Sequence, residues 1–525
     1  MESNIQNNKP IVIAQIESPL SDPLGDSYYR TYAPGLSLAE QDNIYFIGLT
    51  LLHRNIKKII HSADVLILKD VCDIDLIPLL RERHKNPMAY RTFFEISSDM
   101  YADDSANNPY YSFYQNFENR QILKKIITEC NGLQLASHEL NVLYGHYHRN
   151  SVVFSDKITI IPPDRPPRDH DAAINIGLIG ADVYDILDIE EPLIEWVNAN
   201  NAVLHVMCSE KVWNEFNKRL FNSVSDGKKI RHNPGNINDY YDFLRNIDIG
   251  VAPLFDTTFN RSKSNVLYLE YAVNEVVPVM QNFGSYRRIL KHPEKPGVLF
   301  STRYELIDIL DTFVNRTDLI ANMSKAAKQY VLSNHLQSAQ SAERINYYTN
   351  DYATGKPFPF YNEDNGVKLF AELSKQANAE LQGRHLMLRF GEYENLMMNG
   401  IAEMKKKNMV NAHQIFLHAT DIEPDEYFPC LMAHDCMPDK AESDYWPHLL
   451  DAFERNPQSV KAFIQLGELF ANMENYDIAI EYFEKAASIL PDYGLIYDRL
   501  ANVHDNLGNE HKAKHYNRLA FKKMW

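Results

Sequence analysis

The sequence of 525 residues has no apolar run near the ~20 residues a membrane-spanning helix needs, so no segment is expected to cross a bilayer. Its opening residues, MESNIQNNKP, lack the basic stretch and apolar core of a secretory leader. A cytoplasmic location is expected, with any work at a membrane peripheral. Cysteine is scarce: five residues, odd in number and scattered, which fits reduced thiols and not a disulfide framework. Excess positive charge is absent, and a net charge of −17 argues against a chain that tracks a phosphate backbone, so nucleic acid is not an expected partner. A convincing metal cluster is missing too. Cys430 and Cys436 in CLMAHDC are zinc-ligand types without a second pair, and His146 and His148 read as loop residues. Asp73-Ile74-Asp75 has the form of an Asp-x-Asp metal motif but opens a helix, so it reads as capping.

What is present is material for large cores. Hydrophobic residues make up 45% and aromatics 11%, with 31 tyrosines, in a length that suggests about two to four domains. Strand-like runs alternate with helical patterns, which implies parallel α/β units. The first unit covers residues 1–163: IVIAQI, ADVLILKD and YRTFFEIS read as buried strands. A proline-rich stretch, IIPPDRPPRD at 160–169, marks the boundary, because proline halts both sheet and helix. A second unit covers 164–335, a crossover helix and linker 336–385, and a helical region 386–525. Ligands of such sheets sit at the carboxyl ends of strands. That places Gly25, Arg30, Asp99 and His138 on the working edge of the first unit as candidate ligand-side residues.

Residues 248–280, DIGVAPLFDTTFNRSKSNVLYLEYAVNEVVPVM, read as strand, polar loop, helix, strand. Ser262 and Ser264 are possible caps of a helix that starts near residue 260. Arg261 and Lys263 stand where a helix N-terminus already favours anions. Glu270 follows Lys263 by seven residues, about two turns and ~10 Å along one helical face. A nucleotide-sugar has its diphosphate and ribose at about that separation.

This segment resembles the donor-binding helix of GT-B glycosyltransferases, in particular the large retaining group related to glycogen and lipopolysaccharide synthases. The resemblance implies two Rossmann-like domains and a nucleotide-diphosphate sugar as co-substrate, with no metal or other cofactor. It implies that Lys263, with Arg261, neutralises the departing diphosphate and that Glu270 holds the ribose hydroxyls. Gly180, Ser262, Ser264 and Asn265 join Glu270 as donor-side candidates. The group often carries a further Glu facing the transferred sugar; here that position is Ser262.

The last region carries an internal repeat. Residues 460–493 resemble one tetratricopeptide repeat, with Leu466, Gly467, Tyr476, Ala479, Phe483, Ala486 and Pro491 at the expected spacings. Pro424, Pro457 and Pro491 lie 33 and 34 residues apart, one repeat period each time. Such stacks present a groove to extended peptides, so a protein partner or self-association is expected there. The reading is α/β, two Rossmann-like domains followed by all-α repeats, that transfers sugar to a protein or glycan acceptor. The alternative is an inactive transferase-like scaffold, and Ser262 is its best support. A GT-B epimerase would need carboxylates and a histidine around the anomeric carbon, which nothing in the sequence arranges.

Overall fold

The structure, a computed structural model, describes residues 9–19, 25–102, 111–169, 171–179, 183–219, 221–225, 227–291, 296–361, 364–376, 383–388, 391–437 and 446–524. No described helix is long and apolar enough to cross a membrane.

The first unit is built on β1 (Ile11–Glu17), β2 (Ile44–Thr50), β3 (Val65–Lys69), β4 (Arg91–Ile96), β5 (Gly132–Leu135) and β6 (Ser151–Val153). The second uses β7 (Ile174–Ile179), β8 (Ala202–Met207), β9 (Lys229–His232), β10 (Ile249–Ala252), β11 (Val277–Gln281) and β12 (Val298–Phe300). A thirteenth strand, β13 (His385–Met387), returns to the first sheet. The sheet orders are β13-β2-β1-β3-β4-β5-β6 and β12-β11-β10-β7-β8-β9, with every pairing parallel. Ile13 sits opposite Phe46 and Val65, and Ile249 opposite Ile176 and Val277. Helices cover both faces, so the strands read as near-continuous apolar runs. Each sheet reverses its winding once, between β1 and β3 and between β7 and β10. Those are the switch points where a crevice opens at the carboxyl edge.

The chain then crosses back. Helix Gln337–Thr349 lies on the first unit, where Tyr348 Oη donates to Gln134 at 2.7 Å and the Ser341 and Ser37 hydroxyls bond at 2.7 Å. Helix Asn365–Gln376 follows, and β13 pairs Leu386 with Ile47. Leu386 and Met387, read from the sequence as the start of the repeats, therefore extend the first sheet. A three-residue strand is too short to show a period of two.

Among the described residues, four pairs of helices follow: Glu392–Lys405 with Met409–Ile422, Phe428–Asp435 with Trp446–Arg455, Val460–Asn472 with Tyr476–Ile489, and Gly494–Asn506 with Glu510–Met524. Glycine sets the spacing in two of them. A Cβ at Gly400 would stand 2.5 Å from the Phe416 ring, and one at Gly467 would stand 2.5 Å from Phe483.

These hairpins are seated on the first unit, and one buried cluster runs from Leu68 and Ile77 through Leu431 to Leu466 and Phe483. Asp75 locks the junction. It occupies the N-cap position of helix Leu76–Arg83 but makes no side-chain cap bond, contrary to its reading as a cap. Its carboxylate instead accepts Tyr427 Oη at 3.0 Å, Ser459 Oγ at 2.6 Å and Lys461 N at 3.1 Å. Three donors from the repeats outcompete one local amide. Asp492 adds a second clamp, taking Arg81 at 2.8 Å and also Lys125.

Asp75→Ala would leave those three donors without their acceptor. A loss of about 2–4 kcal/mol is expected, since each buried unsatisfied group costs ~1–3 kcal/mol and hydroxyls relax in part. Urea unfolding of both proteins measures it; an unchanged midpoint would show that the junction contributes nothing.

Candidate functional site

The carboxyl edges of the two sheets face each other across a cleft of about 570 Å³. Its walls come from the residues that follow the strands: Gly25 after β1, Ser97 after β4, Ala136 after β5, Pro234 to Ile237 after β9, and Pro253 and Leu254 after β10. Lys263, Ser264 and Glu270 line the same space. A smaller chamber of about 250 Å³ adjoins it at Ala136 and Ser264, and holds His138, Lys157, Asn265 and Arg288.

The local fold of the Lys263–Glu270 segment differs from the single helix expected. Thr257 Oγ1 accepts Asn260 N at 3.0 Å and starts a short helix, Thr258–Ser262. Lys263 then leaves the helical region (φ −55°, ψ 149°), and a second helix, Val266–Val273, begins after Asn265. Ser264 Oγ accepts Val266 N at 3.3 Å. Short polar side chains that bond nearby amides favour such a break. Lys263 and Glu270 thus face one cleft because a bend precedes the helix, not because they share two turns of it.

Glu270 is 5% exposed, and both its oxygens are engaged. Tyr29, from the first unit, donates to Oε1, and Tyr240, from the second, donates to Oε2. Burial pushes the carboxyl up to about 7 against the opposing pull of those two hydroxyls. The Tyr29 and Tyr240 hydroxyls are held well above the usual phenol range by burial and by that carboxylate. Neither tyrosine was singled out from the sequence. The signal was the doublets in SYYR and DYYD, one at each carboxyl edge.

The other sequence candidates divide. Gly25 and Arg30 line the main cleft, but the Arg30 guanidinium is buried against Glu95 at 2.5 Å and Asp156 at 3.0 Å. It ties the loop after β1 to the strand ends, and only its Nη2 lacks a hydrogen-bond partner. Asp99 lines neither chamber; it is buried and accepts Tyr144 Oη at 2.5 Å and Tyr101 N at 3.2 Å. Arg261 is exposed outside the cleft, paired with Asp256 at 2.7 Å, so a diphosphate in the cleft would meet Lys263 and not Arg261. Ser262 is buried, with Oγ donated to Phe259 O at 2.8 Å, while its carbonyl accepts Ser137 Oγ at 2.8 Å from the first unit. Gly180 lies outside the described residues. Among the described residues, no group of three or more metal-ligating side chains converges.

Two Rossmann-like units with opposed carboxyl edges, a helix that crosses back to the first, and an all-α repeat domain define the fold class as GT-B-like followed by tetratricopeptide repeats. The tetratricopeptide-repeat family profile matches residues 460–493. No curated protein matches the sequence. Among solved structures, TarM aligns with 13% identity and a TM-score of 0.41, covering 55% of each chain. The chain thus spans about half the length of that relative. Anabaena HepE, solved with UDP and glucose, aligns with 10% identity and a TM-score of 0.48 over 64% of this chain and 99% of its own. MamA aligns with 19% identity and a TM-score of 0.24 over 30% of this chain and 87% of its own.

The raised carboxyl of Glu270 sets a pH signature. Its stabilising effect is fully present below the unfolded value of 4.5 and is lost as pH rises through about 7. Relative to Glu270→Gln, the wild type is expected to lose on the order of 3 kcal/mol across that window. Denaturant midpoints of both proteins at stepped pH test this, and a constant difference would mean that Glu270 ionises normally.

Proposed function

We propose that the chain is a glycosyltransferase that moves a sugar from a nucleotide-diphosphate donor to a protein or glycan acceptor, without a metal and with retention at the anomeric carbon. The observation that carries this is the placement of Lys263 and Glu270 in one cleft between the two carboxyl edges. Glu270 already accepts two hydroxyls, one per oxygen, the pattern that a ribose diol presents. Lys263 and Ser264 stand at the start of helix Val266–Val273, where cationic charge and the positive end of the helix offset charge on a departing diphosphate. The nucleobase would lie toward Met207 and the turn at 234–236, which also line the cleft.

In this scheme the difficult event is diphosphate departure, and electrostatic stabilisation does the main work. The leaving phosphate oxygen takes the proton of the incoming acceptor hydroxyl on the same face. No side-chain base is assigned, and Ser262 is consistent with that, because its hydroxyl is turned into the backbone. The same observation favours the second reading, an inactive scaffold, since no carboxylate stands at that position.

Lys263→Ala is expected to cut transfer by about 10²-fold or more, the scale of losing one charged contact to a leaving group. Glu270→Ala should mainly weaken donor binding. Screening uridine, guanosine and thymidine diphosphate sugars by thermal shift identifies the donor, because a ligand of the native state raises its stability. Wild-type turnover in both variants would remove the assignment, and no donor binding at all would favour the scaffold. Transfer is also expected to survive EDTA; loss restored by manganese or magnesium would contradict the metal-free scheme.

A further inference from the structure

The transfer scheme leaves the chamber of about 250 Å³ beside the cleft without an occupant. Its walls come from both units. The first contributes His138 after β5 and Lys157 after β6, and the second contributes Asn265, Arg288 and His335. His138 is exposed and the Arg288 side chain is 55% exposed, so the chamber can be entered from solvent. Ser264 lines both this space and the cleft.

The lining carries two fixed cations, Lys157 and Arg288, against one carboxylate, Glu139. In a chain of net charge −17 that excess is local. Lys157 Nζ donates to Asn334 O at 3.0 Å and lies 3.4 Å from His335 Nδ1. Both partners are neutral, because burial and Lys157 push the His335 imidazole down to about 4. The Asn334 bond caps the end of helix Thr317–Asn334 and occupies one of three ammonium donors. Burial also lowers Lys157, and Glu343, the carboxylate that pulls the other way, is not part of the lining. A half-buried ammonium among neutral partners gains from an anion placed against it. Arg288 gives Nε and Nη2 to the same Glu139 oxygen, at 3.2 Å and 2.7 Å, and neither bond uses Nη1. Asn265 stands at the N-cap position of helix Val266–Val273 but makes no side-chain cap bond, which leaves its amide for a hydroxyl in the chamber.

We propose that the chamber is an anion site that takes a carboxylate or phosphate ester carried by a sugar, with Lys157 and Arg288 on the anionic group and Asn265 on a hydroxyl. The sugar as carrier rests on the glycosyltransferase reading. Ser264, at the start of the helix assigned to the diphosphate, borders the chamber, so the charged sugar is either the one transferred or the incoming acceptor. One of the two substrates is thereby an acidic saccharide and not a neutral hexose.

Isothermal titration of the full chain tests this with pairs that differ in one charged group. Glucose 6-phosphate against glucose reads the acceptor source. UDP-glucuronate against UDP-glucose, and GDP-mannuronate against GDP-mannose, read the donor source. In at least one pair the anionic member is expected to bind about tenfold tighter or more, the scale of one charge-assisted contact. Lys157→Gln, which keeps a donor for Asn334 O, and Arg288→Gln, at an exposed position, should each remove that gain, while Lys157→Arg keeps most of it. Melting without ligand checks that each variant is folded. No gain in any pair, or a gain that survives both glutamine variants, overturns the proposal. Inorganic phosphate bound as tightly as glucose 6-phosphate overturns the sugar as carrier. UDP and GDP are also titrated alone. If neither binds while the glucose 6-phosphate gain stands, the transferase reading falls and the anion site remains. If a nucleotide binds and no pair shows a gain, the anion site falls and that reading remains.

Discussion

Every strand in both sheets runs parallel to its neighbours, and that constraint shapes the rest of the molecule. A parallel sheet needs crossover helices, which seal both faces and leave only the strand ends open. Loops gather at the carboxyl ends, at the point where the winding reverses. Two such edges set against each other produce one cleft. The repeats then lie against the helices and carboxyl-end loops of the first unit, which is why their inner side faces loops and not open solvent.

The loops at these edges are held by charges buried among them. Arg30 lies between Glu95 and Asp156, and those anions hold its guanidinium above even its usual high range against the cost of burial. Lys69 is wrapped by Asp26, Asp70 and Glu17, with the same result. Asp70 adopts φ 52°, a left-handed backbone, while its carboxylate takes the amide of Ser97. Networks of this kind add little net stability once desolvation is counted. Their structural effect is geometric: the residues after β1, β3 and β4 keep fixed positions beside the cleft. Contacts between the two units include Tyr29 on Glu270, Ser137 on Ser262 and Arg288 on Glu139.

Much of the fold was legible in the sequence because its signals are local. Ile, Val and Leu runs bounded by turns announced β1, β3, β10 and β11, and the proline period announced the hairpins. Lys263 and Glu270 were legible as a pair, though for a reason that needed correction: a bend at residues 263–265, and not helical spacing, turns both into the cleft. Arg261 and Asp99 misled because residue type and nearness to a strand end do not say where a side chain points. Asp256 draws one outward and Tyr144 holds the other inside a loop.

By itself the sequence determined what depends on neighbours a few residues apart: strand and helix type, the two α/β units, the repeat period and the polar segment before the helix that carries Glu270. Tertiary structure alone decided which distant residues share a space. Tyr29 reaches Glu270 across 241 positions and Asp75 reaches Ser459 across 384. Such pairings arise only when whole units dock, and no periodicity along the chain encodes them. The chamber beside the cleft belongs to the same class, since Lys157 and Arg288 come from different units and neither marks a site in isolation.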